Sequence, residues 1–359
     1  MTRQTEMVEG SQPDPGFRPG DSTMHVAVYR GEGRVPVESF PIPALGNHDV
    51  LVEIAFCGIC GTDLHSIVEA SGIFGWGAPG FIGGHEWSGR IVAVGESVTS
   101  WQVGDRVTAR SSECGSCAAC RAGRPSICRV RVPDDGQGAF SQYMRRNEDS
   151  LVALPDGLDL RAAALTEPLA VALHAVTRST AKKGQRVLVT GAGPIGTLTV
   201  VALHIRGIDD VTVSEPNPLR RAIAEKLGAK VVSPEDLSDA SRGGAALRFD
   251  AVIETSGNPK AAITGFDSLV PGGVLVLVGV ITLPTNLNLL HILTDEITVT
   301  GSALYDDGGI SEAVRLLADG QVPVELLLEP GNISLHDVEN ACAKLASGQL
   351  AGKVMVVPS

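Results

Sequence analysis

Four cysteines within fifteen residues constrain the fold of this chain more than any other feature. They are Cys114, Cys117, Cys120 and Cys128, in the pattern C-x2-C-x2-C-x7-C. Four thiolates at this spacing can surround one tetrahedral Zn²⁺ and leave no coordination position open, which is a structural arrangement. We therefore expect a zinc-bound lobe over residues 113–129. Taken alone, the cluster fits a ribbon-like binding module as well as it fits an enzyme.

The composition favours a globular protein of about two domains, at roughly 150 residues each. Of the 359 residues 43% are hydrophobic, and the formal net charge is −12. Since the sequence has no basic block and no apolar run of membrane-spanning length, we expect neither nucleic acid nor membrane as a partner. Residues 1–23 are polar, rich in Pro and Gly, and lack a signal-peptide core, which predicts a loose tail and a cytoplasmic protein. In that compartment clustered thiols bind metal rather than form disulfides.

The sequence divides into two regions that predict different secondary structure. Up to about residue 155 the pattern predicts short strands, including 24–31, 50–56, 89–95 and 105–110. A helix is predicted over 166–180, after which strands and helices alternate, as in a parallel, doubly wound sheet. The predicted strands are 186–190, 210–215, 249–255, 273–279 and 297–302, and the predicted helices between them are 194–207 and 216–228. A last helix over 334–347 and a strand over 353–358 are expected to return to the first domain.

A glycine loop follows the apolar strand at 186–190. It has the pattern G-x-G-x-x-G and consists of Gly191, Ala192, Gly193, Pro194, Ile195 and Gly196. Placed between a strand and a helix, this pattern predicts a dinucleotide site with the diphosphate at the helix N-terminus. Glu215 ends the next strand, where an acid binds ribose hydroxyls and repels a 2′-phosphate, so NAD is preferred over NADP. Arg220 and Arg221 stand nearby and weaken that preference.

A second group of possible metal ligands contains a cysteine, a histidine and carboxylates. Cys60 lies in GICGTDLH, His85 and Glu86 lie in GGHEWSG, and Glu167 begins EPLAVALHA. Such a mixed set suits a catalytic zinc, which keeps one position for water or substrate. Each residue alone is more typical of core or surface. The combination favours the catalytic interpretation.

Together these motifs resemble the zinc-dependent medium-chain dehydrogenases, a family that includes alcohol, sorbitol, butanediol and threonine dehydrogenases. With VGDRV, the cysteine run, GAGPIG and AGKVMVV, the resemblance covers the chain from about residue 24 to the end. It implies a GroES-like β-rich catalytic domain over 24–176 and 311–359. It also implies a Rossmann cofactor domain over 177–310.

The resemblance further implies the roles of individual residues. Cys60 and His85 would hold the catalytic zinc, and Glu86 and Glu167 compete for the third place. Thr62 would contact the substrate oxygen, His65 would relay the proton, and Asp63 would support the site. Residues that would bind or border the cofactor are Gly191, Gly193, Pro194, Ile195, Gly196, Glu215, Arg220, Val278, Gly279 and Val280.

The expected function is hydride transfer between a secondary alcohol or polyol and NAD⁺, giving the ketone. The chain would carry two Zn²⁺ and assemble as a homodimer or homotetramer. One alternative is a reductase of the same family that works towards the alcohol, as in carbonyl or aminocyclitol biosynthesis, or a threonine-type dehydrogenase. Another is a catalytically silent protein that binds zinc or nucleotide and retains the fold.

Overall fold

A computed structural model of the protein describes residues 22–68, 78–111, 113–130, 138–242 and 247–358. Its strands form two large sheets and a hairpin, and its helices pack mainly around the second sheet. The strands are β1 (Thr23–Ala27), β2 (Val37–Pro41), β3 (Asp49–Gly58), β4 (Glu86–Val94), β5 (Arg106–Ala109), β6 (Tyr143–Asn147), β7 (Leu151–Ala153), β8 (Arg186–Thr190), β9 (Asp210–Ser214), β10 (Lys230–Val232), β11 (Phe249–Glu254), β12 (Leu269–Leu277), β13 (Thr298–Gly301), β14 (Ile333–Ser334) and β15 (Met355–Val357). The helices are α1 (Gly61–Ile67), α2 (Ala118–Arg121), α3 (Leu160–Ala163), α4 (Thr166–Ser179), α5 (Pro194–Ile205), α6 (Pro218–Lys226), α7 (Pro234–Arg242), α8 (Pro259–Asp267), α9 (Leu289–Thr294), α10 (Gly309–Ala318), α11 (Val324–Leu327) and α12 (Val338–Ala346).

The first sheet is built around the long strand β3. Its order is β14-β15-β3-β4-β5-β7, and β6 also pairs with β3. β3 is mostly buried on both faces: helix α3 contacts it, and buried residues of α12 belong to the same hydrophobic core. The closing strand β15 runs antiparallel to β3, with Met355 opposite Gly58. The predicted return of the C-terminal strand to the first sheet is therefore confirmed.

The second sheet is fully parallel, as the strand–helix alternation predicts. Its order is β10-β9-β8-β11-β12-β13. The chain proceeds outwards from β8 in one direction and from β11 in the other, so the order reverses between these two strands. In open α/β sheets, ligands bind at such a reversal, outside the carboxyl ends of the strands. The predicted fold class, a GroES-like β-rich part with a doubly wound α/β part, is confirmed.

Helix α4 connects the two sheets. Its apolar residues, among them Leu169, Leu173 and Val176, are buried at helical spacing. It packs against α5 and α10, and it also contacts β4 of the first sheet and β11 and β12 of the second. The helix ends at Thr180, whose φ of 53° is left-handed. Because α4 contacts strands of both sheets, a residue in its first turn can lie between the two sheets.

Several features were absent from the sequence prediction or remain predictions. Strands β2 and β10 and helices α7 to α9 were not predicted, because their short segments carry little periodicity, whereas β1 overlaps the strand predicted from residue 24 onwards. The predicted domain limits, 24–176 with 311–359 and 177–310, stay a prediction. Residues 1–21 of the predicted tail lie outside the described residues, and β1 begins at Thr23. Among the described residues no helix has the length and apolar character needed to cross a membrane.

Candidate active site

The four predicted lobe cysteines lie together at one point. Cys117 Sγ is 3.5 Å from Cys120 Sγ and 3.8 Å from Cys128 Sγ, and Cys128 Sγ is 3.6 Å from Cys114 Sγ. Zn–S bonds of about 2.3 Å at tetrahedral angles place the sulfurs about 3.8 Å apart, so the set fits zinc. Backbone N–H groups of Ser116 and Cys117 lower the pKa of Cys114 to about 6, which favours the thiolate that a metal binds.

Cys60, His85 and Glu86 form a second cluster. Their candidate ligand atoms all lie within 4.8 Å of one another. Cys60 is the N-cap residue of α1, His85 directly precedes β4, and Glu86 is the first residue of that strand. The β3–β4 pairing places Glu86 opposite Gly58, two residues before Cys60. The sheet register therefore assembles the cluster from residues 25 positions apart in sequence.

Asp63 fixes the backbone on both sides of this cluster. Its carboxylate, which is 0% exposed, accepts hydrogen bonds from the N–H groups of Cys60 at 2.9 Å and Gly84 at 3.2 Å. Gly84 has a φ of +89°, and a Cβ there would lie 2.8 Å from Cys57 Sγ, so only glycine fits. Burial raises the pKa of Asp63, against the lowering effect of nearby His85. Asp63 thus acts on the cluster through the backbone.

Lys353 is a site residue that was not singled out from the sequence, although it lies in the closing AGKVMVV motif. Its ammonium group is buried and donates to Glu86 Oε1 at 2.7 Å and to the Ile59 carbonyl at 2.9 Å. Glu86 Oε2 lies 2.5 Å from Lys353 Nζ, so both carboxylate oxygens of Glu86 lie against the same ammonium group. Burial lowers the pKa of Lys353, but Glu86 and the other acidic groups outweigh this effect and raise it.

Glu167 lies in the first turn of α4 and is partly buried. Burial raises its pKa to about 7, and neighbouring charges, with His85 first among them, also act on it. Burial alone would lower the pKa of His85. The charge of Cys60, its hydrogen bond to the ring, and the charges of Asp63 and Glu167 instead raise it well above the usual range. The negative charges that raise this pKa would also favour a bound metal cation.

Thr62 and His65 lie on α1, directly after Cys60. Thr62 Oγ1 is 3.6 Å from Cys60 Sγ. His65 lies in the last turn of the helix and is partly exposed. The helix therefore presents a hydroxyl beside the candidate metal ligands and an imidazole one turn further on.

The predicted cofactor residues lie at the carboxyl edge of the second sheet. Gly191 follows β8, and Gly193 caps α5. A Cβ on Gly196 would lie 2.0 Å from the Gly191 carbonyl oxygen, so the third glycine is required for close packing. Glu215 is buried after β9 and accepts from the Ala192 N–H at 2.7 Å and the Asn217 N–H at 2.8 Å. The acid thus holds the glycine loop from the end of the neighbouring strand.

The remaining cofactor candidates differ in surroundings. Arg220 donates to the Leu345 carbonyl at 3.3 Å, at the end of α12, so its guanidinium group is partly engaged within the protein. Val278 and Gly279 follow β12, where both N–H groups bond to the carbonyl of Glu254, and Val280 lies next along the chain. Gly191 and the segment Val278–Val280 flank the strand-order reversal. This is where a nicotinamide dinucleotide binds in such sheets.

Fold and site together define a zinc-dependent dehydrogenase with a dinucleotide-binding sheet. Residues 46–156 match the alcohol dehydrogenase GroES-like domain, and residues 194–319 match the zinc-binding dehydrogenase domain. The chain is 33% identical over 350 residues to sorbitol dehydrogenase of Bacillus subtilis, covering 94% of this chain and 98% of that protein. It is 34% identical over 343 residues to D-xylulose reductase A of Aspergillus oryzae, covering 90% and 93% respectively.

A solved structure agrees with these relatives. The crystal structure of a candidate zinc-binding dehydrogenase from Sinorhizobium meliloti, bound to NADP, superposes with a TM-score of 0.82 at 29% identity, covering 94% of this chain and all of that chain. The protein belongs to the zinc-dependent medium-chain dehydrogenase/reductase family. It is an oxidoreductase that acts on CH–OH donors with zinc and a nicotinamide cofactor.

Proposed function

We propose that this protein oxidises a secondary alcohol or polyol to the ketone with NAD⁺, and catalyses the reverse reduction. The observation that carries the proposal is the cluster of Cys60, His85 and Glu86, with Thr62 Oγ1 3.6 Å from the cysteine sulfur. The names of the relatives, sorbitol dehydrogenase and D-xylulose reductase, support a polyol and its ketone. One relative is named a dehydrogenase and the other a reductase, so the two names describe both directions of the interconversion of alcohol and ketone.

The donor atoms fit a zinc ion at each of the two clusters. A zinc ion at the open cluster supplies Lewis acidity towards a substrate oxygen. Thr62 would accept the hydroxyl proton of the substrate, and His65 would pass it towards solvent, because an imidazole ring can both accept and donate a proton. Asp63 would keep Cys60 and His85 in place through the backbone. The nicotinamide carries the hydride, and the residues at 278–280 would orient its ring.

For the third ligand we propose Glu167. Glu86 is already paired with Lys353 at 2.5–2.7 Å, and this neutralises much of its charge. Glu167→Gln should therefore lower zinc retention at the open site more strongly than Glu86→Gln. Zinc per chain after chelator dialysis measures the difference. Greater loss in Glu86→Gln would assign the ligand to Glu86.

NAD is proposed as the cofactor on the basis of Glu215. The acid is 3% exposed, and its carboxylate accepts a hydrogen bond from the glycine loop. Its negative charge would repel the 2′-phosphate of NADP. Arg221 donates to the carbonyls of Glu215 and Pro216, and Arg220 donates to Leu345, so both cations have partners within the protein. The NADP in the Sinorhizobium meliloti structure makes a comparison of both cofactors essential.

The function is tested by a reduction screen with NAD⁺ and NADP⁺ over secondary alcohols, polyols, amino alcohols and primary alcohols, and over ketones in reverse. We expect turnover of polyols or secondary alcohols with NAD⁺ and two zinc ions per chain. No turnover together with a single zinc, carried by the cysteine lobe, would instead favour a silent binding protein.

The protein is also proposed to act as a homodimer in the cytoplasm. β13 ends the second sheet, and on the adjoining helix α9 Leu289, Leu290 and Leu293 are 63–76% exposed. A second copy would cover these leucines. Light scattering should give the mass of a dimer, and Leu290→Asp should reduce it; a monomeric native chain would refute this assembly. The cytoplasmic location is supported by the four lobe thiols, whose spacing suits a metal and therefore a compartment that keeps thiols reduced.

A further inference from the structure

The loop between β13 and α10 is tied to the four-cysteine lobe. Asp306 Oδ1 accepts a hydrogen bond of 2.6 Å from the hydroxyl of Ser126, which lies between Cys120 and Cys128 and is 9% exposed. The next residue, Asp307, donates its N–H to the Gly123 carbonyl at 3.3 Å. The loop thus contacts the lobe from outside the cysteine cluster.

The same loop holds the chain that enters the lobe. The Tyr305 hydroxyl accepts the Ser111 N–H at 2.8 Å, and its ring is 5% exposed. Burial raises the pKa of Tyr305, and the nearby charge of Glu167 raises it further. Tyr305 is therefore bonded to the beginning of the lobe and is near enough to Glu167 to be affected by its charge.

Asp306 also faces helix α4. Its second oxygen, Oδ2, is 3.8 Å from Nδ1 of His174, whose side chain is 9% exposed. His174 follows Glu167 by seven residues, which is about two helical turns and places both on one face. One oxygen of the Asp306 carboxylate therefore binds the lobe, and the other faces the helix that carries Glu167.

The conformation of the loop is strongly determined. Leu304 adopts a left-handed φ of 54°, which is unfavourable for a residue with a branched side chain. Its side chain packs against the main core cluster, which contains Tyr305, Leu173 and Val176. Packing and the hydrogen bonds to the lobe together hold a backbone that would not be adopted alone.

We propose that Asp306 is a positioning residue that joins the four-cysteine lobe to α4 and thereby sets the place of Glu167 in the catalytic site. The inference rests on the proposed function, because it gives Glu167 a role at the open metal cluster. Metal in the lobe then influences the catalytic site through Ser126, Asp306 and His174, although the cysteines themselves take no part in the chemistry.

The test compares Asp306→Ala, Ser126→Ala and the matched control Asp307→Ala in protein loaded with both metals. Asp307 contributes only its backbone N–H to these bonds, so the control removes an equal charge one position away. Catalytic zinc is replaced by Co²⁺, and its visible spectrum, the rate of metal release to a chelator, kcat and the KM for NAD⁺ are measured. Asp306→Asn keeps an oxygen acceptor for Ser126 and should recover part of the loss.

For Asp306→Ala and Ser126→Ala we expect a shifted Co²⁺ spectrum, metal release faster by about tenfold, and a lower kcat with the KM for NAD⁺ unchanged. Asp307→Ala should match the native protein. An unchanged spectrum and kcat in the variants, with only a lower melting temperature, would overturn the inference. If Asp306→Ala does not fold, Ser126→Ala decides alone. A native protein without dehydrogenase activity would contradict the proposed function instead, which separates the two failures.

Discussion

Replacing Lys353 by methionine should destabilise the first sheet strongly, because the change leaves Glu86 as a buried charge without its partner. Lys353 and Glu86 are 2% and 0% exposed, and their closest hydrogen bond is 2.7 Å long. At an effective dielectric constant of about 20, two unit charges at that distance attract by about 6 kcal/mol. Desolvation offsets part of this attraction. Breaking a buried pair costs about 3–5 kcal/mol in unfolding free energy, and that is the loss we expect.

Urea unfolding followed by tryptophan fluorescence measures this loss, because Trp87 lies directly after Glu86 and is 4% exposed. Lys230→Met is the matched control. Its ammonium lies 2.8 Å from Asp210, but its side chain is 70% exposed, so the urea midpoint should not move. The double variant Glu86→Gln with Lys353→Met should recover much of the stability, since no buried charge is left. The reasoning is refuted if Lys353→Met behaves like the exposed control, or if the double variant loses the sum of the single losses.

Three further predictions address the catalytic, structural and cofactor sites. Thr62→Ala should lower kcat by about 100-fold without loss of zinc, while Thr62→Ser retains activity; an unaffected rate would remove Thr62 from the proton path. Cys120→Ser should lose the lobe zinc and lower the melting temperature by about 5 °C, whereas Cys342→Ala keeps both metals; equal zinc content in the two variants would argue against the lobe site. Glu215→Gln should reduce the preference of kcat/KM for NAD⁺ over NADP⁺ by about tenfold, with exposed Glu225→Gln as control, and an unchanged ratio would separate Glu215 from cofactor choice.

The sequence was sufficient for the parts of the fold that periodicity or spacing encodes. Five of the six strands of the second sheet, all except β10, lie close to their predicted positions, as do helices α4 and α5, the glycine loop and the cysteine lobe. The candidate ligands Cys60 and His85 could be identified because their neighbouring residues form recognisable motifs. Each of these features depends on residues near one another in the chain.

Pairings between distant residues could not be predicted in the same way. Lys353 meets Glu86 across 267 positions, and Asp306 meets Ser126 across 180. Neither pair follows from a local pattern, because the sheet register and a left-handed loop bring the partners together. Arg220 illustrates the same limit: its charge indicated a role with the cofactor, whereas its bond to Leu345 depends on where α12 ends.

Glu215 has a consequence for how this enzyme could change its cofactor in evolution or by engineering. One carboxylate oxygen holds the N–H of Ala192 in the glycine loop, and the other holds the N–H of Asn217. A small or basic residue that admits a 2′-phosphate would at the same time release both turns around the diphosphate site. Under the proposed preference for NAD, a change to NADP would therefore require the glycine loop to be rebuilt together with the acid, so a single substitution at Glu215 would not suffice.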